Sequence, residues 1–259
     1  MKAIELRNVS FTYDGYYDKV LDGCSMSLNY GEVTLLRGAS GSGKSTLISL
    51  ITGIIPEVTP GHIEGEILID RELINSSPDE QNDENGAGIP MSQICRKVGI
   101  VLQNAEAQII HQNVEDEIAF GCENFAFSKD EITRKINDSC SMMELDPAWN
   151  TRTLSGGQKQ RLITACTLAT GQKILVLDEP LANLDRQGAD MLMSAMRDLA
   201  AQGYAVLIVE HRIDRVLPYV DAVWSLTDGK ITSVRAERNI LVQDGIIKDA
   251  GTYNVSDTP

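Results

Sequence analysis

Four groups of residues in this chain have the types and spacing to work on phosphate. The first lies in the run Leu36 to Thr46, where Gly38, Gly43, Lys44 and Ser45 satisfy the phosphate-loop pattern G-x4-G-K-[ST], with Ala39, Ser40, Gly41 and Ser42 between them. Glycines let backbone N–H groups close round phosphate oxygens, a lysine brings a mobile charge to the outer phosphates, and Ser45 offers a hydroxyl to Mg2+. The ligand implied is a nucleoside triphosphate. A chance match in a chain of this size arises in on the order of one percent of sequences.

The second group, Leu154-Ser155-Gly156-Gly157-Gln158, puts a capping serine and two glycine N–H groups at a helix start, a second anion-binding end in the same polypeptide. The third is Asp178-Glu179, delivered by the apolar run Ile174 to Leu177. Asp178 is placed to hold the Mg2+ shell and Glu179 to orient or deprotonate an attacking water. The fourth is a pair of strand-end residues, Gln103 and His211. A glutamine there could ligate Mg2+ or orient water, and the histidine is explained as a contact to a γ-phosphate or to that water. Taken singly, these groups have bland readings: a glycine turn, a capped helix, an acidic first turn, a structural histidine.

For Lys44, Gln103, Glu179 and His211 to meet at one rim, a sheet must carry them at its strand ends. Residues 33 to 36, 97 to 102, 174 to 177 and 205 to 209 read as buried strands, and Leu47, Leu50, Ile51 and Ile54 recur at helical spacing after the phosphate loop. Residues 3 to 11 and 20 to 28, divided by the Asp14-Gly15 turn, read as an antiparallel opening, and 63 to 70 alternates as a half-buried strand. Tyr13 lies just before that turn, where a ring could pack or stack on a base. Residues 75 to 90 hold scarcely an apolar side chain and read as a surface loop. Asn113 reads as a helix cap with Asp116 three residues on, Val114, Ile118, Cys122 and Phe125 facing inward and Glu115, Asp116, Glu117 and Glu123 facing outward. With 128 to 143 also helical, residues from about 105 to 170 form a helix-rich insert. A helix from about Gln187 to Ala201 follows Leu184-Asp185. A hairpin turns at Asp228-Gly229, and 236 to 259 read as an extension with a frayed end.

The 259 residues, 42% of them hydrophobic, suffice for a real core. No apolar run reaches membrane-spanning length and the first ten residues lack the apolar centre of a secretion signal, so the expectation is a cytoplasmic protein that meets a membrane through a partner. A net charge of −14 works against a nucleic-acid partner. Five cysteines without a close pair read as reduced thiols, and three scattered histidines suggest no metal centre.

In their order these groups resemble the ATP-binding-cassette (ABC) ATPases over roughly residues 1 to 235. The resemblance implies an α/β fold, a P-loop NTPase (RecA-like) core with an antiparallel β subdomain and a helical insert, and ATP and Mg2+ as cofactors. It implies that Tyr13 stacks on adenine, that Gln103 is the loop glutamine, that Ser155, Gly156, Gly157 and Gln158 are the signature, and that Asp185 is the dimer-interface aspartate. Ser45, Gln103 and Asp178 would then hold the metal, with Glu179 the water-orienting acid and His211 the switch histidine. In that family two subunits clamp two ATPs head to tail, each ATP between one phosphate loop and the partner's signature. The implied partner is a second ABC ATPase subunit, identical or not. Ala182-Asn183 departs from the common Ser-Ala of the interface loop.

Gln103 to Gln108, then Val114 to Gly121, then Glu210-His211-Arg212 further resemble the ATPase subunit of energy-coupling-factor (cobalt-type) transporters, which import vitamins or transition-metal ions. Implied are integral membrane subunits whose arginine-bearing helices dock beside Glu106, Glu115 and Asp116, and a peripheral place on the cytoplasmic face of the membrane. Three rivals stand beside this reading. They are the ATPase of a conventional solute importer, a soluble ABC ATPase working as a mechanical clamp, and a nucleotide kinase, which would leave 154 to 158 without a purpose.

Overall fold

The computed structural model describes residues 1–75, 88–211 and 213–234, and the backbone of two short strands, 241–243 and 246–248. Most of the surface loop expected at 75 to 90, Arg212, and most of the expected extension lie outside the described residues.

Two sheets carry the fold. The antiparallel one has the order β2-β1-β4-β5, from β1 (Lys2–Tyr13), β2 (Leu21–Asn29), β4 (Gly61–Ile69) and β5 (Glu72–Leu73). The six-stranded one has the order β10-β9-β3-β8-β7-β6, from β3 (Val33–Arg37), β6 (Val98–Val101), β7 (Ile174–Asp178), β8 (Ala205–Val209), β9 (Ala222–Thr227) and β10 (Lys230–Val234). Its strands run parallel except β10, which closes a hairpin with β9. Helices α1 (Lys44–Ile51), α2 (Ile54–Glu57), α3 (Met91–Ile94), α4 (Val114–Asn124), α5 (Lys129–Met142), α6 (Gly156–Thr170), α7 (Arg186–Ala201) and α8 (Ile213–Val216) connect them. The backbone strands β11 (Leu241–Gln243) and β12 (Ile246–Lys248) form a separate pair.

The continuous apolar runs are explained by burial on both faces of the parallel sheet. Alternate residues of one strand enter opposite cores. Val33, Leu35, Leu175, Leu177, Val206 and Ile208 join the core that holds α4 to α7. Leu36, Ile174, Val176, Leu207 and Val209 join the other, against α1 and the antiparallel sheet. Helices α4 and α5 pack on α6, which makes the helical insert, and among the described residues no helix is long and apolar enough to cross a membrane.

Four local expectations are corrected. The helix after the phosphate loop ends at Ile51, because Gly53 turns left-handed (φ 77°) and Ile54 opens a separate turn. Asn113 precedes α4 but does not cap it; its Nδ2 donates to Asp116 Oδ2 at 3.0 Å. Phe125 is only half-buried. Glu117 points inward rather than outward. It is 6% exposed, and its Oε2 accepts the N–H groups of Ile110 (3.0 Å) and His111 (2.6 Å).

Candidate nucleotide site

Strand β3 runs straight into the phosphate loop, and α1 leaves it. Gly43 stands before α1 at φ 103°, and a Cβ on Gly38 would come 2.4 Å from Leu226 O and 2.6 Å from Ser42 Oγ, so neither position accepts a side chain. Lys44 is 6% exposed, and its Nζ donates to Gly38 O (2.9 Å) and Ala39 O (2.7 Å), which curls the loop round the ammonium. Burial pulls the Lys44 pKa down, against the attraction of Glu179 and Asp178. Ala39, Ser40, Gly41 and Ser45 are exposed. Ser42 Oγ is buried with no partner, a polar atom left over for a ligand. Tyr13 ends β1 against this loop: its hydroxyl shares a 2.9 Å hydrogen bond with Thr46 Oγ1, and its ring stands edge-on to Phe11. Loop, lysine, orphaned hydroxyl and helix end together fit a triphosphate.

Asp178 ends β7. Burial, then the charge of Glu179, pushes its carboxyl above the usual range, while Lys44 and His211 pull the other way. The two acids act on Lys44, whose neighbour Ser45 is exposed, and carboxylate, hydroxyl and amide oxygens make a hard donor set that suits Mg2+, with Ser45, Asp178 and Gln103 the side chains that would hold it. Glu179 follows in the left-handed region (φ 47°), its N–H donating to Val209 O at 2.8 Å. Its carboxylate lies between two strand ends, with Gln103 Nε2 at 2.8 Å from Oε2 and His211 Nε2 at 2.7 Å from Oε1. Behind them sits Glu210, 3% exposed, which sequence reasoning passed over in favour of its neighbour. Its Oε1 accepts the N–H of Leu181 and its Oε2 that of His211, tying the segment after Glu179 to the histidine.

The signature lies apart. Ser155 caps α6 reciprocally: its Oγ accepts from Gln158 N (3.3 Å), and Gln158 Oε1 accepts from Ser155 N (2.8 Å). Asp185 caps α7, its Oδ1 accepting the N–H of Gly188 at 2.7 Å. Ser155, Gly156, Gly157, Gln158 and Asp185 line one cleft of about 420 Å³, which includes no phosphate-loop residue. The expected site residues thus fall into two sets. Tyr13, Gly38 to Thr46, Gln103, Asp178, Glu179 and His211 make one, and the signature with Asp185 makes the other.

Between the sets runs the segment after Gln103. Leu102, Ile110 and Phe120 are exposed there, and the Phe120 ring lies 5.1 Å from that of His111. Of the acids expected to meet a basic partner, Glu115 is exposed, Asp116 is bonded to Asn113, and Glu106 is paired with Lys159 at 2.6 Å.

The ABC transporter family model matches residues 21–182. A putative ABC transporter ATP-binding protein of Saccharolobus solfataricus is 35% identical over 233 residues, 89% of this chain and 42% of the relative. Another, of Methanosarcina mazei, is 37% identical over 235 residues, 88% of this chain and 38% of the relative. The chain therefore spans less than half the length of these curated relatives. Among solved structures, cbiO1 from Clostridium perfringens, described as part of the ABC transporter complex cbiONQ, is similar with a TM-score of 0.76 at 28% identity, over 89% of this chain and 87% of that one. The ATP-binding cassette MJ0796, in a dimeric post-hydrolysis state bound to ADP and Pi, is similar with a TM-score of 0.74 at 25% identity, over 90% of this chain and 99% of that one.

Proposed function

The chain belongs to the ABC transporter family and has the fold of its ATP-hydrolysing cassette, with ATP and Mg2+ as cofactors; from that premise we propose that it energises an importer of the energy-coupling-factor type, for vitamins or transition-metal ions. Residues 1 to 235 are the working cassette, seated on the cytoplasmic face of the membrane through integral membrane subunits. The observation that carries this reading is the hydrogen bond from Gln103 to Glu179, because Gln103 heads the segment that leads past the exposed Ile110 into the acidic start of α4, on which Phe120 is also exposed. An arginine-bearing helix docked there would touch the chemistry through one side chain. The likeness to cbiO1 supports the same assignment.

Lys44 and the loop N–H groups bind the outer phosphates, and Tyr13 takes the adenine. Ser45, Gln103 and Asp178 would hold Mg2+, which would supply neutralisation of the phosphate charge. Glu179 accepts a proton from the water that attacks the γ-phosphorus, the bond to the bridging oxygen breaks, and His211 holds the carboxylate in place. Because the signature faces a separate cleft, it serves the nucleotide of a second ABC ATPase subunit, with Asp185 at the interface between them. ATP then cross-links the pair until hydrolysis releases it.

Purification of the chain from native membranes tests the assignment. Integral subunits that take up substrate without a dedicated extracellular binding protein should accompany it. Recovery with a permease that depends on such a binding protein, or with no membrane protein, rejects the coupling-factor reading.

A further inference from the structure

Lys159 stands in the first turn of α6, directly after the signature, and its Nζ meets Glu106 Oε1 at 2.6 Å. The lysine is mostly covered, its side chain 15% exposed, whereas that of Glu106 is 75% exposed. Glu106 opens a single helical turn, Glu106–Gln108, that is tied back on itself. Gln108 Oε1 accepts the N–H of Leu102 at 3.0 Å, and Asn104 Oδ1 accepts that of Ala107 at 3.2 Å. Residues 102 to 108 are therefore tied into one closed piece. The helix grips that piece at Glu106, and from it Gln103 reaches Glu179 at 2.8 Å. Another polar contact between α6 and β6, Thr167 Oγ1 to Ile100 O (3.4 Å), lies toward the far end of the helix, and Gln172 Nε2 to Cys95 O (2.9 Å) lies just beyond that end.

We propose that Glu106 and Lys159 are a positioning pair that couples a chain's two half-sites, making turnover at its own phosphate loop depend on what its signature helix holds. A shift of the capped end of α6 is passed through the ion pair to the closed turn, and from the turn to the glutamine that orients Glu179. Neither residue touches nucleotide. The inference rests on the shared-nucleotide dimer proposed above. An exposed pair of this kind gives a modest, measurable effect rather than an abolished activity.

Steady-state ATP hydrolysis by the purified chain, together with equilibrium nucleotide binding, provides the test. Glu106→Gln and Lys159→Gln should each lower kcat about two- to five-fold, the scale of one exposed ion pair, and leave nucleotide affinity and thermal midpoint unchanged. The charge-swapped double variant, Glu106→Lys with Lys159→Glu, should regain at least half of the lost kcat. In a Gln103→Ala background, Glu106→Gln should have no further effect, because the path is already cut. Wild-type kcat in both single variants, a swap no better than either, or full additivity with Gln103→Ala would overturn the proposal. A wild-type chain that hydrolyses no ATP would instead reject the functional reading beneath it.

Discussion

Glu179 is the proposed base, and three contacts converge on it. A left-handed backbone costs a non-glycine residue of order 1–3 kcal/mol and persists only where the surroundings over-determine it. Here the surroundings are Val209 O on its N–H, and Gln103 and His211 on its carboxylate. Glu179→Gln keeps the shape and removes the proton acceptor. It should lower kcat by at least about 100-fold with nucleotide binding preserved, read from single-turnover hydrolysis beside equilibrium binding. Such residues were legible in the sequence wherever spacing within one short segment defines them, as in Gly38 to Ser45 or Asp178-Glu179. Glu210 and the Glu106–Lys159 pair were not, because what each residue touches is brought to it by the tertiary fold rather than by a neighbour in the chain.

At the scale of the element, two helices start with the same device and differ in purpose. Ser128 with Glu131 caps α5 as Ser155 with Gln158 caps α6. Replacing either serine with alanine should cost about 1 kcal/mol of stability, seen as a similar fall in thermal midpoint. Only Ser155→Ala should also depress ATP hydrolysis, since only that helix end opens on the signature cleft; equal activity in the two variants would confine Ser155 to a structural role. The parallel strands were readable because burial on both faces leaves a run with no polar interruption, as in Ile174 to Leu177. Helix α4 was misread at Asn113, at Phe125 and at Glu117, and the last shows why. Glu117 lies three residues after Val114 and one before Ile118, so helical period alone puts it on the inner face, and only its charge argued otherwise. The two backbone N–H groups that hold it there come from outside the helix, where no periodicity reports them.

At the scale of the molecule, a parallel sheet with a core on each face holds the phosphate loop, both acids, Gln103 and His211 near its strand ends, while the signature sits on the helical insert. The split was foreseeable from having two anion-binding helix starts in one chain, and the separateness of the two clefts gives it a physical form. On the dimer proposed above, each polypeptide is an incomplete enzyme carrying the missing piece of its neighbour's. Genetics can exploit that. A chain disabled at Lys44 (Lys44→Ala) still offers an intact signature, and one disabled at Gly157 (Gly157→Asp) still offers an intact phosphate loop, so mixing the two inactive proteins should revive hydrolysis. With random pairing, half of the dimers carry one complete site, so uncoupled sites would restore about a quarter of the rate of the unaltered protein, and the coupling through Glu106 and Lys159 should hold the recovery below that. Two dead alleles would then make one living transporter, and a mixture that stays silent would show that neither chain lends anything to the other.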